Sequence, residues 1–321
     1  MILVESMQSS APPPIPVRPF PSPCSPAARG RYRLEGRIAT GAMGEVWRAH
    51  DTLLDQPVAV KMLRPEVAGL PVWRERLRRE ARYTGLVSHT GAVRLLDFHD
   101  GADGGFPFLV MELIDAPSLG DVLRAEGRLP ARHVLSLIQK TAVTLSGAHA
   151  AGVVHRDLKP DNLLLAGREV KVIDFGVAWF ADDPAMTRAG TMVGTPHYMS
   201  PEQVAERPVT GASDLYSLGV IAYQCLVGSL PFTGSVLDVA IAHRDLPLPD
   251  LPPAVPAAVA DFVKDLTSKD PAKRADGLVV AARAERLLTE LTAAAPRAPQ
   301  APPAAERRRH KARACHPRHK F

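Results

Sequence analysis

Apolar residues recur along the chain with two periods, and the change from one to the other divides it. Over residues 32–97 short apolar runs alternate with turns, which predicts strands with one helix inserted among them. Val58-Ala59-Val60-Lys61 reads as a strand, with Ala59 and Lys61 on one face and the two valines on the other. Residues 71–88 read as the helix, with proline in the first turn. Trp73, Leu77, Thr84 and Val87 share one stripe, and Glu80 falls in it. Burying an unpaired carboxylate is costly, so Glu80 has a cationic partner or else stands exposed, like Glu75, among the nearby arginines. A further strand covers residues 106–114.

Beyond that strand the period becomes helical. Residues 130–151 carry Val134, Leu137, Ile138, Ala142 and Leu145 on one face, and Gly152 ends the helix as glycine often does. Residues 214–227 are apolar around most of the circumference, which predicts a buried helix. Further helices are predicted over 236–243, 257–266 and 278–291, and there are no internal repeats. The pattern is α+β: a small β-rich unit with one helix, then a larger helical unit.

Composition changes this picture at the ends. Residues 1–30 hold eight prolines and little apolar patterning, so they read as a disordered leader, with order beginning near Arg31. The formal charge of +5 misleads: residues 296–321 carry eight Lys/Arg against Glu306, a net +7, which leaves −2 for the rest. The basicity belongs to a disordered Ala/Pro/Arg-rich tail over 292–321, and no nucleic-acid partner is expected for the domain. The run Arg307-Arg308-Arg309-His310-Lys311 suits anionic surfaces or acidic partners. Cys315, His316 and His319 lie close together, but without a second cluster they read as solvated tail. No signal peptide is expected from the first residues and no transmembrane segment from the longest apolar run, near 215–227. Three scattered cysteines (Cys24, Cys225, Cys315) suggest a reducing, cytoplasmic setting.

Chemistry concentrates in His155-Arg156-Asp157-Leu158-Lys159-Pro160-Asp161-Asn162, with Asp174-Phe175-Gly176 beginning twelve residues after Asn162. The stretch supplies a carboxylate base, two cations and hard oxygens, which are the parts phosphoryl transfer needs. Asn162 and Asp174 are ligand types suited to Mg²⁺. Ahead of Lys61, Ile38-Ala39-Thr40-Gly41-Ala42-Met43-Gly44-Glu45-Val46 sits between strands. Glycine there lets backbone amides approach phosphate without a Cβ in the way. Farther on come Gly194-Thr195-Pro196-His197-Tyr198-Met199-Ser200-Pro201-Glu202 and, past Asp214, Lys269-Asp270-Pro271-Ala272-Lys273-Arg274.

Taken together, these motifs over residues 31–291 resemble the bacterial eukaryotic-like serine/threonine protein kinases. The resemblance implies a two-lobed fold, with a small lobe over about 31–113, a larger one over 114–291, and ATP–Mg²⁺ in the cleft. It implies that Asp157 is the base and that Lys159 sits near the transferred phosphate. It pairs Lys61 with Glu80, puts Asn162 and Asp174 on the metal, and makes residues 38–46 the phosphate loop. Ala59, Met111 (gatekeeper), Glu112 (first hinge position), Val46 and Leu164 would surround the adenine. Glu202 would pair structurally with Arg274. Asp214 is an N-cap, an anchor for the catalytic-loop backbone, or both. Arg156 would receive a phosphothreonine from Thr187 or Thr191, while Thr195 would be structural or substrate-orienting. Substrates would be Ser and Thr residues of proteins, including the chain itself through self-association. A nucleotide-binding pseudokinase scaffold is the alternative, and Ala39 is its only direct support, because the family has glycine there. If that position needs positive φ, alanine costs about 1 kcal/mol, and Ala39→Gly should improve ATP handling a few-fold. A small-molecule phosphotransferase is the other rival, against which the Lys159 pattern and the 195–202 segment argue.

Overall fold

In a computed structural model the chain is described over residues 30–41, 44–101, 105–175 and 196–294. The first part is a five-stranded antiparallel sheet of β1 (Tyr32–Thr40), β2 (Gly44–Asp51), β3 (Gln56–Leu63), β4 (Leu95–His99) and β5 (Phe108–Glu112), in the order β1-β2-β3-β5-β4. A one-turn helix α1 (Pro65–Ala68) and then α2 (Pro71–Leu86) are inserted after β3, with proline opening each.

The side-chain alternation read in β3 decides which face does what. Val58, Val60 and Met62 enter a core with Tyr32, Leu34, Phe108 and Val110. Ala59 and Leu63 turn the other way, against Leu77 and Ala81 of α2 and Leu109 and Met111 of β5. That second face carries Lys61, and α2 buries Leu77, Glu80, Ala81 and Thr84 toward it. The predicted stripe is thus the packed one, and Glu80 lies inside it.

The second part is helical: α3 (Leu119–Glu126), α4 (Ala131–Ala150), α5 (Pro201–Val204), α6 (Gly211–Val227), α7 (Val236–Asp245), α8 (Ala257–Leu266) and α9 (Gly277–Ala294). A hairpin of β6 (Leu163–Ala166) and β7 (Glu169–Val172) lies between α4 and α5. Gly152 follows α4 at φ 75°, which is why glycine stands there. The core gathers α4, α6, α8 and α9 around Leu145, Phe175, Leu218, Ile221 and Phe262. α6 is buried nearly all round, Cys225 included, as its sequence predicted.

Glu202 of α5 and Arg274 form a bidentate pair at 2.7 and 2.8 Å, both side chains almost wholly buried. Ser213 Oγ donates to the same carboxylate at 2.5 Å, and Arg274 also donates to the carbonyls of Ala212 and Ser268. Burial alone would raise the Glu202 carboxyl; the Arg274 guanidinium holds it below its ordinary value. Arg274→Met strands that carboxylate, and a buried charge left without its partner typically costs about 3–5 kcal/mol. Urea unfolding at pH 7 should show a loss of that size. A lowered folded pKa stabilises above the unfolded value and ceases to as pH falls. The deficit of the variant should therefore shrink as the pH is taken below the ordinary glutamate range, and a deficit that grows there would contradict the account.

Candidate active site

The site is built where β3, α2 and the loops around β6 and β7 meet. Lys61 Nζ lies 2.6 Å from Glu80 Oε1 and 2.9 Å from Asp174 Oδ1. One ammonium thus serves two carboxylates. Burial alone would lower Lys61, but Asp174 and Glu80 lift it above its ordinary value, so it stays charged. Glu80 is the deeper acid. Burial pushes it up to about 7 against the pull of Lys61, and its Oε2 is buried without a hydrogen-bond partner. Asp174, which burial would raise, is held low by Lys61.

The catalytic-loop stretch is shaped from below by α6. Asp214 accepts from the backbone amides of His155 and Arg156, each at 2.8 Å, and His149 Nε2 lies 2.8 Å from its Oδ2. Thr210 occupies the N-cap position of α6, so the N-cap reading of Asp214 is corrected: it stands inside the first turn and anchors the loop. Arg156 and Asp174 both have positive φ, 66° and 63°, sparsely populated for residues with side chains. The Asp214 bonds hold Arg156 there, and the Arg156 carbonyl also accepts from Gln203 Nε2 at 2.8 Å.

His155 ties the two acidic segments together. Its Nε2 reaches the Ile173 carbonyl at 2.9 Å and its ring packs on Phe175. Asn162 donates its amide to the Asp157 carbonyl at 2.8 Å, and its own carbonyl accepts from Ile173 N at 3.0 Å. Lys159 Nζ sits 2.6 Å from Asp157 Oδ2. Asp157, Lys159, Asn162 and Asp174 are therefore brought into one cleft with Lys61 and Glu80. The side-chain NH₂ group of Asn162 is engaged and its backbone carbonyl takes Ile173, which leaves its side-chain oxygen, with the Asp174 carboxylate, as oxygens for a cation. Among the described residues no three His, Cys, Asp or Glu gather into a protein-only cage, so a cation here would rest on those two oxygens, phosphate and water.

The glycine-rich loop is described at both ends; Ala42 and Met43, like Gly176, Thr187, Thr191 and Thr195, lie outside the described residues. Gly41 N donates to Gly44 O at 2.9 Å, making a tight tip. A Cβ on Gly44 would fall 2.1 Å from the Met62 carbonyl, so no other residue fits there. Arg64 holds the tip through the Gly41 carbonyl. Ile38, Ala39 and Thr40 end β1, and Glu45 and Val46 begin β2, with Ala39 opposite Val46 and Thr40 opposite Glu45. Ala59 and Met111 face each other across β3 and β5 in the cluster that Val46 joins. Glu112 is occupied by Lys171 at 2.8 Å and by the Arg94 amide. Leu164 lies on β6, bridged to Ser118. Leu113 and Ile173 pack into the same cluster as Val46 and were not singled out from the sequence.

A model of the protein kinase domain matches residues 32–285. The chain is 42% identical over 250 residues to the serine/threonine-protein kinase PknA of Mycobacterium tuberculosis, covering 76% of this chain and 58% of that one. It is 37% identical over 267 residues to PknL of the same species, covering 81% and 66%. The chain thus spans between about half and two thirds of the length of such relatives. The crystal structure of the M. tuberculosis PknI kinase domain shares the fold at a TM-score of 0.62 and 24% identity, over 80% of this chain and 96% of that one. The chain belongs to the protein kinase family, a family that uses ATP and a divalent metal, and the bacterial relatives named here are serine/threonine kinases.

Ala39 corrects an expectation. It is not among the residues with positive φ, and it pairs with Val46 within β1, just past a register shift between Arg37 and Ala39. The foreseen strain is absent, and glycine would only loosen a strand, at about 0.5–1 kcal/mol. Ala39→Gly should therefore leave KM for ATP unchanged or raise it slightly in an ATP titration at saturating substrate. A several-fold fall would show that the methyl group obstructs nucleotide.

Proposed function

We propose that the chain is a serine/threonine protein kinase transferring the γ-phosphoryl group of ATP to protein hydroxyls. The observation that carries this is the convergence of Asp157, Lys159, Asn162 and Asp174 on a Lys61 already paired to Glu80. Val46, Ala59 and Met111 share one apolar cluster, which would pack against the adenine. Lys61, held charged, supplies a fixed cation to phosphate oxygens. Asn162 and Asp174 would hold Mg²⁺, which when bound neutralises phosphate charge. Asp157 keeps one oxygen on Lys159 and offers the other to the proton of the attacking Ser or Thr hydroxyl. Lys159, kept beside it, offsets the negative charge that builds as the hydroxyl attacks.

Polypeptide rather than small-molecule substrates fit the docking turn Pro196–Tyr198, which Ser217 holds through the Tyr198 carbonyl at 2.7 Å. A scaffold without catalysis is not favoured, since each group above is in place and Ala39 is unstrained. No helix of the described residues is long and apolar enough to cross a membrane, and the reading places this unit in the cytoplasm. Self-association would serve trans-autophosphorylation. Order limited to the kinase unit, with the leader and basic tail dispensable for transfer, belongs to the same reading.

Asp157→Asn should lower single-turnover phosphate transfer by at least about a hundredfold while leaving ATP affinity within about twofold. Lys61→Met should instead weaken nucleotide binding. Transfer at the wild-type rate by Asp157→Asn would remove the base assignment.

Arg156 sits beside Asp157, half-buried, as the receptor for a phosphate at Thr187 or Thr191. The double Thr→Ala variant should match phosphatase-treated wild type in specific activity. Full activity from a chain shown by mass spectrometry to be unphosphorylated in that segment would refute this.

A further inference from the structure

Three side chains of the helical lobe take no part in handling phosphate, yet they form a hydrogen-bonded chain that stops one bond short of the turn Pro196–Tyr198. Lys269 Nζ lies 2.9 Å from Tyr216 Oη and 2.7 Å from the carbonyl of His243, in the last turn of α7. Tyr216 Oη lies 3.0 Å from His243 Nδ1. An ammonium can only donate, so Lys269 takes an acceptor position on Oη, and the tyrosine proton goes to Nδ1 at 3.0 Å in preference to the His243 carbonyl at 3.4 Å. His243 then carries its own proton on Nε2. The ring is neutral, since burial and the Lys269 charge push it down to about 4.

The Nε2–H group faces the backbone of His197 in the turn Pro196–Tyr198. It is buried there without a completed hydrogen bond, and His197 Nδ1 is buried unpaired as well. Buried polar groups without partners are rare and costly, and these two belong to neighbouring residues at one joint. The other side of the turn is complete: Ser217 Oγ holds the Tyr198 carbonyl and Tyr198 Oη donates to Gln224 Oε1, both at 2.7 Å. The turn is thus fastened to α6 and left unfastened toward α7.

Lys269 itself is an unusual fastener. Among the described residues it makes no ion pair within 4.0 Å, its neighbour Asp245 being engaged by Arg244 at 2.8 Å. Burial and the charge of Arg274 lower it to about 8. A cation retained among neutral oxygens fits a need for direction, because an ammonium forces its acceptors, and so the histidine tautomer, into one arrangement.

Resting on the kinase reading, we infer that Lys269, Tyr216 and His243 are positioning residues for the polypeptide substrate: they aim His243 Nε2–H at the His197 backbone, and a polypeptide docking on the turn closes that hydrogen bond. None of the three touches the reacting atoms. Breaking the chain should therefore weaken substrate docking and spare the nucleotide site.

The test is steady-state kinetics with ATP and a generic protein substrate, myelin basic protein, for wild type, Tyr216→Phe, Lys269→Met and the double variant. Each single variant should raise KM for the protein about three- to tenfold, the effect of one hydrogen bond, with kcat and KM for ATP within about twofold. The double variant should be no worse than the more severe single one, because both break the same chain. Unchanged protein KM, a joint loss in the ATP and protein parameters, or multiplied effects would overturn the inference. If Tyr216→Phe fails to fold, Lys269→Met, whose side chain is partly exposed, carries the same comparison alone. A wild type that transfers no phosphate would instead overturn the kinase reading. Fluorescence anisotropy with the labelled protein, wild type against Lys269→Met, then decides docking separately, with equal affinities overturning the inference.

Discussion

A helix buried on all sides cannot leave its polar groups unmatched, and α6 carries Ser213, Asp214, Tyr216 and Ser217 into the interior within five positions. Each costs free energy in that setting unless it finds a partner. Their partners come from segments far apart in the chain. Asp214 takes two amides of the catalytic loop, Ser213 reaches Glu202, Ser217 reaches the docking turn, and Tyr216 reaches His243. The cost of burying α6 is offset only when these loops adopt one arrangement, so the stability of the lobe and the geometry of its site share a cause.

The small lobe applies the same logic with charge instead of hydrogen bonds. Glu80 is on α2 because an apolar stripe carried it inward, and once buried it requires Lys61. Lys61 in turn lies on the strand face that looks into the cleft, where Asp174 also reaches it. Two carboxylates share one ammonium there, and in the proposed reading the Asp174 carboxylate and the Asn162 side-chain oxygen would hold the metal.

Most of the site was legible because its residues are neighbours in sequence. The run from His155 to Asn162 and the Asp174 segment state their chemistry in adjacent letters, and Glu80 betrayed itself as an acid on an apolar stripe. The strand faces of β3 followed from alternation alone. What stayed hidden depends on distance along the chain or on backbone angles. Tyr216, His243 and Lys269 are spread over more than fifty positions, and nothing local marks them as one unit. The φ of Ala39 cannot be read from its letter, so the strain argued from family pattern failed against a backbone without positive φ there. Asp214 lies near enough to a helix start to pass for a cap, and only the observed start at Gly211 separates the two roles. Leu113 and Ile173 went unremarked because an apolar residue at a strand end or in a loop carries no local sign of what it packs against.

The two anchoring systems meet at His155, and this makes the site one object rather than two halves. Its backbone amide is fixed by Asp214 from the large lobe, while its ring takes the Ile173 carbonyl, one residue before Asp174. Asn162 closes the circuit, giving its amide to Asp157 and accepting from Ile173. A shift in one of these segments strains the bonds to the others, since the His155 and Asn162 side chains that join them are buried. Lys61 then extends the circuit across the cleft through Asp174 to α2. The position of α2, set by apolar packing in the small lobe, is thereby felt at the Asp157 carboxylate through backbone and side-chain bonds alone.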